Sequence, residues 1–498
     1  MSDYRRFWPL IAIFFFLVFV ACAGQPSSVL VDLGLITPTP TPDPFSHYRA
    51  ALQPWAQGDI EAAGPLPRYH ITAQLNSEGT KLTGIEQVTI PSPGPEVVFR
   101  LYPNTPNYAG SMRITTAQID GVPLEITPSR DAISLTVPPT AGNMLPTSIM
   151  VTLAFEINLG SQPDLDASNY TLFGWDGPIL SLPGFYPTLA VKQGNEWVLE
   201  QPPLHSDVLF NEVALYQLDL TLPREMVVAA SGVTLNVIDN PTDDTRTWQI
   251  SGGPLRDMTL IAGPFQSISE EAAGAIVTSY YLTGHEAAGR VVLAHAAASL
   301  RLYGDTYGPY PYTELDIVEA PLNSRGMEYT GLLLIGEELY QEQRDFLTFL
   351  VAHEVGHQWW YAVIGNNPYR YPWLDEGLTE YSAFDYYRSV FGQSKAEQLL
   401  TGRWQIPFDW AASGGVGGAI DRPASAFDPA SYELLVYAKA ALFFNALREQ
   451  LGEEMYAQVL QTYYTENRYR IVTPQTFLAT AERMSGQNLN PLAEEWLK

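Results

Sequence analysis

From about Tyr69 to Phe265 apolar and polar residues alternate; from about Thr283 onward they recur at helical spacing instead. That change of period constrains the fold more than any other feature. A strand sends successive side chains to opposite faces, whereas a helix brings residues three or four apart onto one face. The alternating stretches "YHITAQLNSEGTKLTGIEQVTI", "SIMVTLAFEINL", "YQLDLTLP" and "TWQISG" are separated by Gly, Pro, Asn and Asp clusters. This predicts antiparallel strands in an all-β domain of sandwich type. "TGHEAAGRVVLAHAAASLRLYGDTYG" then reads as a helix, with Thr283 a candidate N-cap and Gly304 a candidate stop. "TELDIVEAP" and "YTGLLLIG" read as two strands of a small mixed sheet, and beyond Glu338 the pattern is mainly helical. The expectation is a multidomain α and β chain: a β-sandwich-like domain over 49–268, then a mainly helical domain with a small sheet over 269–498.

The N-terminal end carries a different signal. Arg5 and Arg6 precede an apolar run, Phe7 to Ala21, too short for a comfortable membrane span. Positive residues before a short apolar core predict an export signal over 1–22. The run ends in "FVAC", and Cys22 is the sole cysteine of the chain. Its setting resembles the bacterial lipobox, with Phe19 where leucine or valine is usual; lipidation of Cys22 is the expectation. Ordinary cleavage and an uncleaved anchor are the alternatives. A Thr/Pro-rich linker over 23–48, ending in "TPTPTPDP", favours an extended stalk. The expected location is therefore outside the bacterial cell, on its surface or anchored to a membrane. A lone cysteine forms no internal disulfide, and a net charge of −27 repels phosphate backbones, so nucleic acid is not an expected partner.

Within the helical half lies "FLVAHEVGHQWWYAVIG". Apolar Phe346, Leu347, Leu350 and Val351 precede the motif and Gly365 follows, so a helix from about Gln343 to Ile364 is predicted. On it His353 and His357, four apart, share a face and can present imidazole nitrogens to one metal ion. Glu354 points to one side of the pair, placed to take a proton from the attacking water rather than to bind the metal. A catalytic zinc needs a third protein ligand. "WLDEGLTEYSAF" offers Glu376, nineteen residues after His357 at the opening of a second helical pattern reaching about Val390, and Glu380 one turn later. Spacing alone prefers neither.

HExxH, eighteen intervening residues and a glutamate inside "W-L-x-E-G" resemble the gluzincin metallopeptidases of the aminopeptidase N and leukotriene A4 hydrolase family. The resemblance implies a thermolysin-like catalytic domain and one Zn2+ held by His353, His357 and Glu376. Glu354 is then the catalytic base. Asp375 stands for the usual asparagine, and Glu380 becomes a neighbour bonded to a ligand histidine. "NSRGMEYTGL" is similar to the family motif whose glutamate binds the substrate's α-amine, which puts that role on Glu328, with Gly326 and Met327 along the substrate-binding edge strand. Arg325, Tyr329 and Thr330 depart from the motif and alter the subsite. "LLVYAKAALFFNALREQLG" is similar to the family's tyrosine helix; it implies Tyr437 as the oxyanion donor, Lys439 as the matching lysine and Ala440 in place of glycine, with only motif position separating Tyr437 from Tyr432. "SLPGFYP", "REMVVAASG" and "LRDMTLIAGPF" echo the family's β domain, and the large helical C-terminal domain of many members is not matched. The implied activity is aminopeptidase action on peptides. The alternatives are a broader endopeptidase of the same fold and a non-catalytic surface binding lipoprotein.

The remaining signals are weaker. His70 and His205 are isolated, and His285 and His295, ten apart, fall on different helix faces; none reads as a ligand. "SGGVGGAIDRP" lacks phosphate-loop spacing and reads as a loop on the rim of a cleft.

Overall fold

The computed structural model describes residues 43–108, 110–140, 144–160, 172–341 and 344–498. The export signal, Cys22 and most of the stalk lie outside these residues. Residues 47–498 form one compact unit. Of the preceding unit, 1–46, the described part is 43–46, where Asp43 Oδ1 accepts the Phe45 N–H at 2.9 Å. Among the described residues no helix is long and apolar enough to cross a membrane.

The alternating half forms an eight-stranded sheet in the order Val233–Asn240, Thr245–Leu255, Ala214–Pro223, Arg68–Leu75, Lys81–Pro91, Ser148–Asn158, Ser111–Ile119, Val122–Pro123. Burial follows the period: along Arg68–Leu75 and along Ser148–Asn158 every second residue is buried. Two four-stranded sheets accompany it. One pairing departs from the antiparallel expectation: Arg68–Leu75 runs parallel to Ala214–Pro223, residue Ile71 opposite Leu218. Alternation fixes which face is buried and says nothing of direction, and the long connection between these strands gives the chain room to cross over.

The second half is built on a five-stranded mixed sheet. Its strands are β1 (Gln266–Ala272), β2 (Ala275–Tyr281), β3 (Glu314–Ala320), β4 (Gly326–Tyr329) and β5 (Leu332–Gly336), in the order β1-β2-β3-β5-β4. The sheets therefore change between Gly263 and Gln266, and 268/269 falls inside β1. β4 is the edge and pairs antiparallel with β5 through a Thr330–Gly331 turn, whose Gly331 has φ +72°.

Helix α1 (Glu286–Thr306) packs on this sheet. It starts after His285 rather than at a Thr283 cap, and Gly304 lies within it; the His285 Nδ1 contact with Glu319 Oε1 at 2.6 Å ties its start to β3. α1 packs against α2 (Arg344–Gly356), which packs against α3 (Pro372–Phe391), and α4 (Ala440–Leu451) covers α3 from beyond. The predicted Gln343–Ile364 helix does not run through. After His357 it widens into a π-helical turn, Gln358–Val363, with Trp360 at φ −104°, ψ 35°. Gln358 explains the break: buried beside β4, its amide donates to Tyr329 O at 3.0 Å and accepts from Gly331 N at 2.9 Å. α3 begins earlier than predicted, with Pro372 at its first turn, so Glu376 lies in the second turn.

Arg256, 2% exposed, joins the two halves. Its guanidinium donates to Asn211 O at 3.0 Å in the β half and to Tyr361 O at 2.8 Å in the π turn. Asp257 beside it accepts from Thr330 N at 3.0 Å and from the Tyr361 hydroxyl at 3.0 Å.

Candidate active site

α2 carries His353 and, just past its end, His357 one turn on, and α3 brings Glu376 across to them. His353 Nε2 and His357 Nε2 are 3.2 Å apart, and Glu376 Oε2 lies 3.3 Å from the first and 3.4 Å from the second. Three donors at about 2 Å from one tetrahedral zinc stand roughly 3.3 Å from one another, so this triangle has the size that zinc requires. All three side chains are buried, and Glu376 Oε2 has no hydrogen-bond partner. A buried carboxylate oxygen left unpaired is costly unless a cation completes it. The residues fit the metal.

The surrounding groups orient the ligands. Thr379 Oγ1 is 3.3 Å from His357 Nδ1, and Glu380 Oε1 is 3.7 Å from His353 Nδ1. Glu380, fully buried, also accepts from Arg403 Nε at 3.0 Å, Arg403 Nη2 at 2.5 Å and Trp404 Nε1 at 2.6 Å. Its carboxylate is thus held by Arg403 and Trp404, and at 3.7 Å it does not make the expected hydrogen bond to His353, whose Nδ1 has no partner among the described residues. Asp375 accepts from Asn366 Nδ2 at 3.2 Å and from Glu376 N at 3.0 Å, fixing the turn that carries Glu376. The Tyr437 hydroxyl donates to Glu376 Oε1 at 2.7 Å. Tyr432 packs against His205 and the Tyr437 ring, and burial, then the Asp207 and Glu376 charges, push its hydroxyl above the usual range. Ala440 fits where the resemblance expects glycine because Gly377 faces it: a Cβ at 377 would lie 2.6 Å from Ala440 Cβ.

β4 passes on the other side of α2. Gly326 lies so close to Glu354 that any Cβ would collide with its carboxylate. Glu354 Oε2 has no partner. Burial pushes the Glu354 carboxyl up to about 8, against the pull of His357 and with Glu376 and Asp207 adding to it. Burial would also raise Glu376, but the two histidines beside it outweigh that and hold the carboxyl below the usual range. The same cavity therefore favours the protonated form of Glu354 and the ionised form of Glu376.

Glu328, Met327 and Gly326 line the same cavity of about 400 Å³ with the three ligands, Glu354 and Tyr437. Every residue expected at the site from the motifs thus converges there or, as with Asp375, supports it. His70, His285 and His295 are spent on Asp219, Glu319 and Tyr386. Arg325, which stands in the substrate-binding motif, also lines the cavity, as do Asp207 and Arg403, which were not expected there. Asp207 comes from the β half, on a segment pinned by the Tyr369 hydroxyl on Val208 O and by Arg256 on Asn211 O. Burial, then the Glu376 charge, raises its carboxyl to about 7. Burial, then the Asp207 charge, raises Glu328. Nothing local in "PLHSDVLF" marks Asp207; only the packing of the two halves brings it in.

Residues 292–496 match the peptidase family M1 domain. The chain is 25% identical over 346 residues to aminopeptidase N of Acetobacter pasteurianus, covering 64% of this chain and 91% of that protein. It is 26% identical over 302 residues to aminopeptidase M1-C of Oryza sativa subsp. japonica, covering 57% of this chain. The chain spans about a third (34%) of the length of that and similar plant relatives. Its fold is that of an M1 zinc metallopeptidase from Deinococcus radiodurans, with a TM-score of 0.65 at 19% identity over 87% of this chain and 92% of the other.

Proposed function

We propose that this chain, whose residues 292–496 are a peptidase family M1 domain on the fold of the M1 zinc metallopeptidases, is a zinc aminopeptidase. The observation that carries the reading is the His353–His357–Glu376 triangle sharing one cavity with a buried carboxylate, Glu328, on the edge strand.

His353, His357 and Glu376 hold one Zn2+. When bound, the metal supplies Lewis acidity that polarises the scissile carbonyl and acidifies water. Glu354 takes the proton of the attacking water and delivers it to the leaving amine, a task suited to a carboxyl whose environment favours holding a proton. The Tyr437 hydroxyl stands beside the ligand set and donates to the oxygen that gains charge as the carbonyl is attacked. Glu328 pairs with the substrate's free α-ammonium and so sets the cut one residue from the N-terminus. β4, the edge strand of the sheet, offers backbone hydrogen bonds to an extended peptide.

Metal analysis together with aminoacyl-fluorophore hydrolysis tests the reading. One zinc per chain and turnover of free-amine substrates, with N-acetylated ones refused, is the expected result. Glu328→Ala should hurt free-amine substrates most; an equal loss on blocked peptides removes the anchor role and favours an endopeptidase. The proposal extends to location: an exported lipoprotein held through Cys22, for which the mass of the mature N-terminal peptide is the check.

A further inference from the structure

A second cavity, of about 700 Å³, lies beside the catalytic one. It opens where α1, α2, α3 and the helix Gln393–Leu399 meet. Phe346, Phe349 and Arg403 line both cavities, but the zinc ligands, Glu354, Glu328 and Tyr437 line only the first.

Aromatic rings wall the second cavity. Their centres follow one another from His295 to Phe391 at 6.1 Å, Phe391 to Tyr387 at 5.1 Å, Tyr387 to Phe349 at 6.3 Å and Phe349 to Phe346 at 6.0 Å. Such a run of rings ordinarily belongs to a core, yet Phe391 is 43% exposed at the end of α3. Gly392, at φ +88°, ends α3 there, and the helix that follows brings Lys395, Gln398 and Leu399 to the same cavity.

The charges around the rings have one sign. Across the chain Asp and Glu outnumber Lys and Arg by 54 to 27, yet among the described residues no carboxylate lines this cavity, while Lys395 and Arg403 do. Burial holds the His295 ring below its ordinary value, so it stays neutral. Arg403 gives Nε and Nη2 to Glu380 and lays its guanidinium 4.3 Å from the centre of the Phe349 ring. The Lys395 ammonium has no partner among the described residues.

This lining selects a ligand. Rings stack an apolar body, and an unpaired ammonium at their edge answers one anionic group. An extended peptide is poorly served, because the walls are helices whose backbone groups are already bonded to one another. We propose that this groove is a separate binding site for a small amphipathic carboxylate, an aromatic or acyl body ending in one anionic group. Such a site is independent of what the catalytic cavity cleaves.

Titration calorimetry on the zinc-loaded chain tests it with three probes: 1-naphthylacetate, its neutral isostere 1-naphthylacetamide, and acetate. The acid should bind about threefold or more tightly than the amide, the range of one partly exposed ion pair, and acetate should not bind measurably. Lys395→Gln should bring the acid down to the amide. Phe391→Ala should weaken acid and amide alike by severalfold and leave their ratio unchanged. Both side chains are at the surface, so melting temperatures should match the parent. Repeating the titration with alanine hydroxamate in the catalytic cavity separates the two sites, and binding should persist. No binding, equal binding of acid and amide, loss of binding under alanine hydroxamate, or indifference to both substitutions overturns the assignment.

Discussion

The Tyr437 hydroxyl donates to Oε1 of Glu376 at 2.7 Å, while Oε2 of the same carboxylate faces His353 and His357 at 3.3 and 3.4 Å. One carboxylate thus ties the phenol to the ligand set. Tyr437→Phe should lower kcat by about 10²–10³-fold, the effect of losing one oxyanion donor, with KM and zinc content nearly unchanged. Stopped assays beside metal analysis check it. A matching loss of zinc would assign the hydroxyl to holding Glu376 instead.

Glu354 sits beside the triangle with one oxygen unpaired and is not among its three ligands. Glu354→Gln keeps the shape and removes the base. Turnover should fall by about 10²–10⁴-fold while zinc stays bound. Retained turnover, measured by single-turnover kinetics, would end the base assignment.

Gly326 gives an independent test of the same carboxylate. Its backbone conformation admits alanine, but the added Cβ would strike Glu354. Gly326→Ala should displace the base and cost about 10²-fold in kcat, as a shift near 1 Å does. The melting temperature should change little, and Gly331→Ala, in the adjacent turn, should instead destabilise through its positive φ.

Far from the cavity, Glu86 is fully buried in the eight-stranded sheet with neither carboxylate oxygen hydrogen-bonded. Burial pushes its carboxyl well above the usual range. The folded chain therefore holds this proton more tightly than the unfolded chain. The stability it contributes is fully present below the unfolded value and is lost as pH rises toward the folded one. Glu86→Gln should melt higher than the parent at pH 8, with the gap closing near pH 4. Parallel melting curves across that range would refute the assignment.

The catalytic core was legible because its spacing is local. A pair of histidines on one helical face and a glutamate on the next helix are periodic facts, and alternation in "YHITAQL" predicts a half-buried strand that is found. What escaped is what periodicity does not encode. The parallel pairing of Arg68–Leu75 is a matter of direction. The π turn after His357 arises because Gln358 satisfies the backbone of the β4–β5 turn, a tertiary demand. Helical spacing alone makes Glu376 and Glu380 equal candidates, and only the packing of Arg403 and Trp404 against Glu380 sets them apart. Asp207 and Arg403 carry no motif and reach the cavity only through packing.

Arg256 carries a consequence for how the molecule is made and lost. Its guanidinium reads backbone carbonyls from the segment leading to Ala214–Pro223 and from the turn that closes the zinc helix, and neither set of carbonyls has its partner until both are in place. Removing a buried cation from such carbonyls costs far more than any surface contact. The metal site is therefore not a cassette that the β half merely carries. Calorimetry on 47–498 should show one endotherm rather than two. A weakened outer strand should lower zinc occupancy at temperatures where the ligands themselves are unaltered.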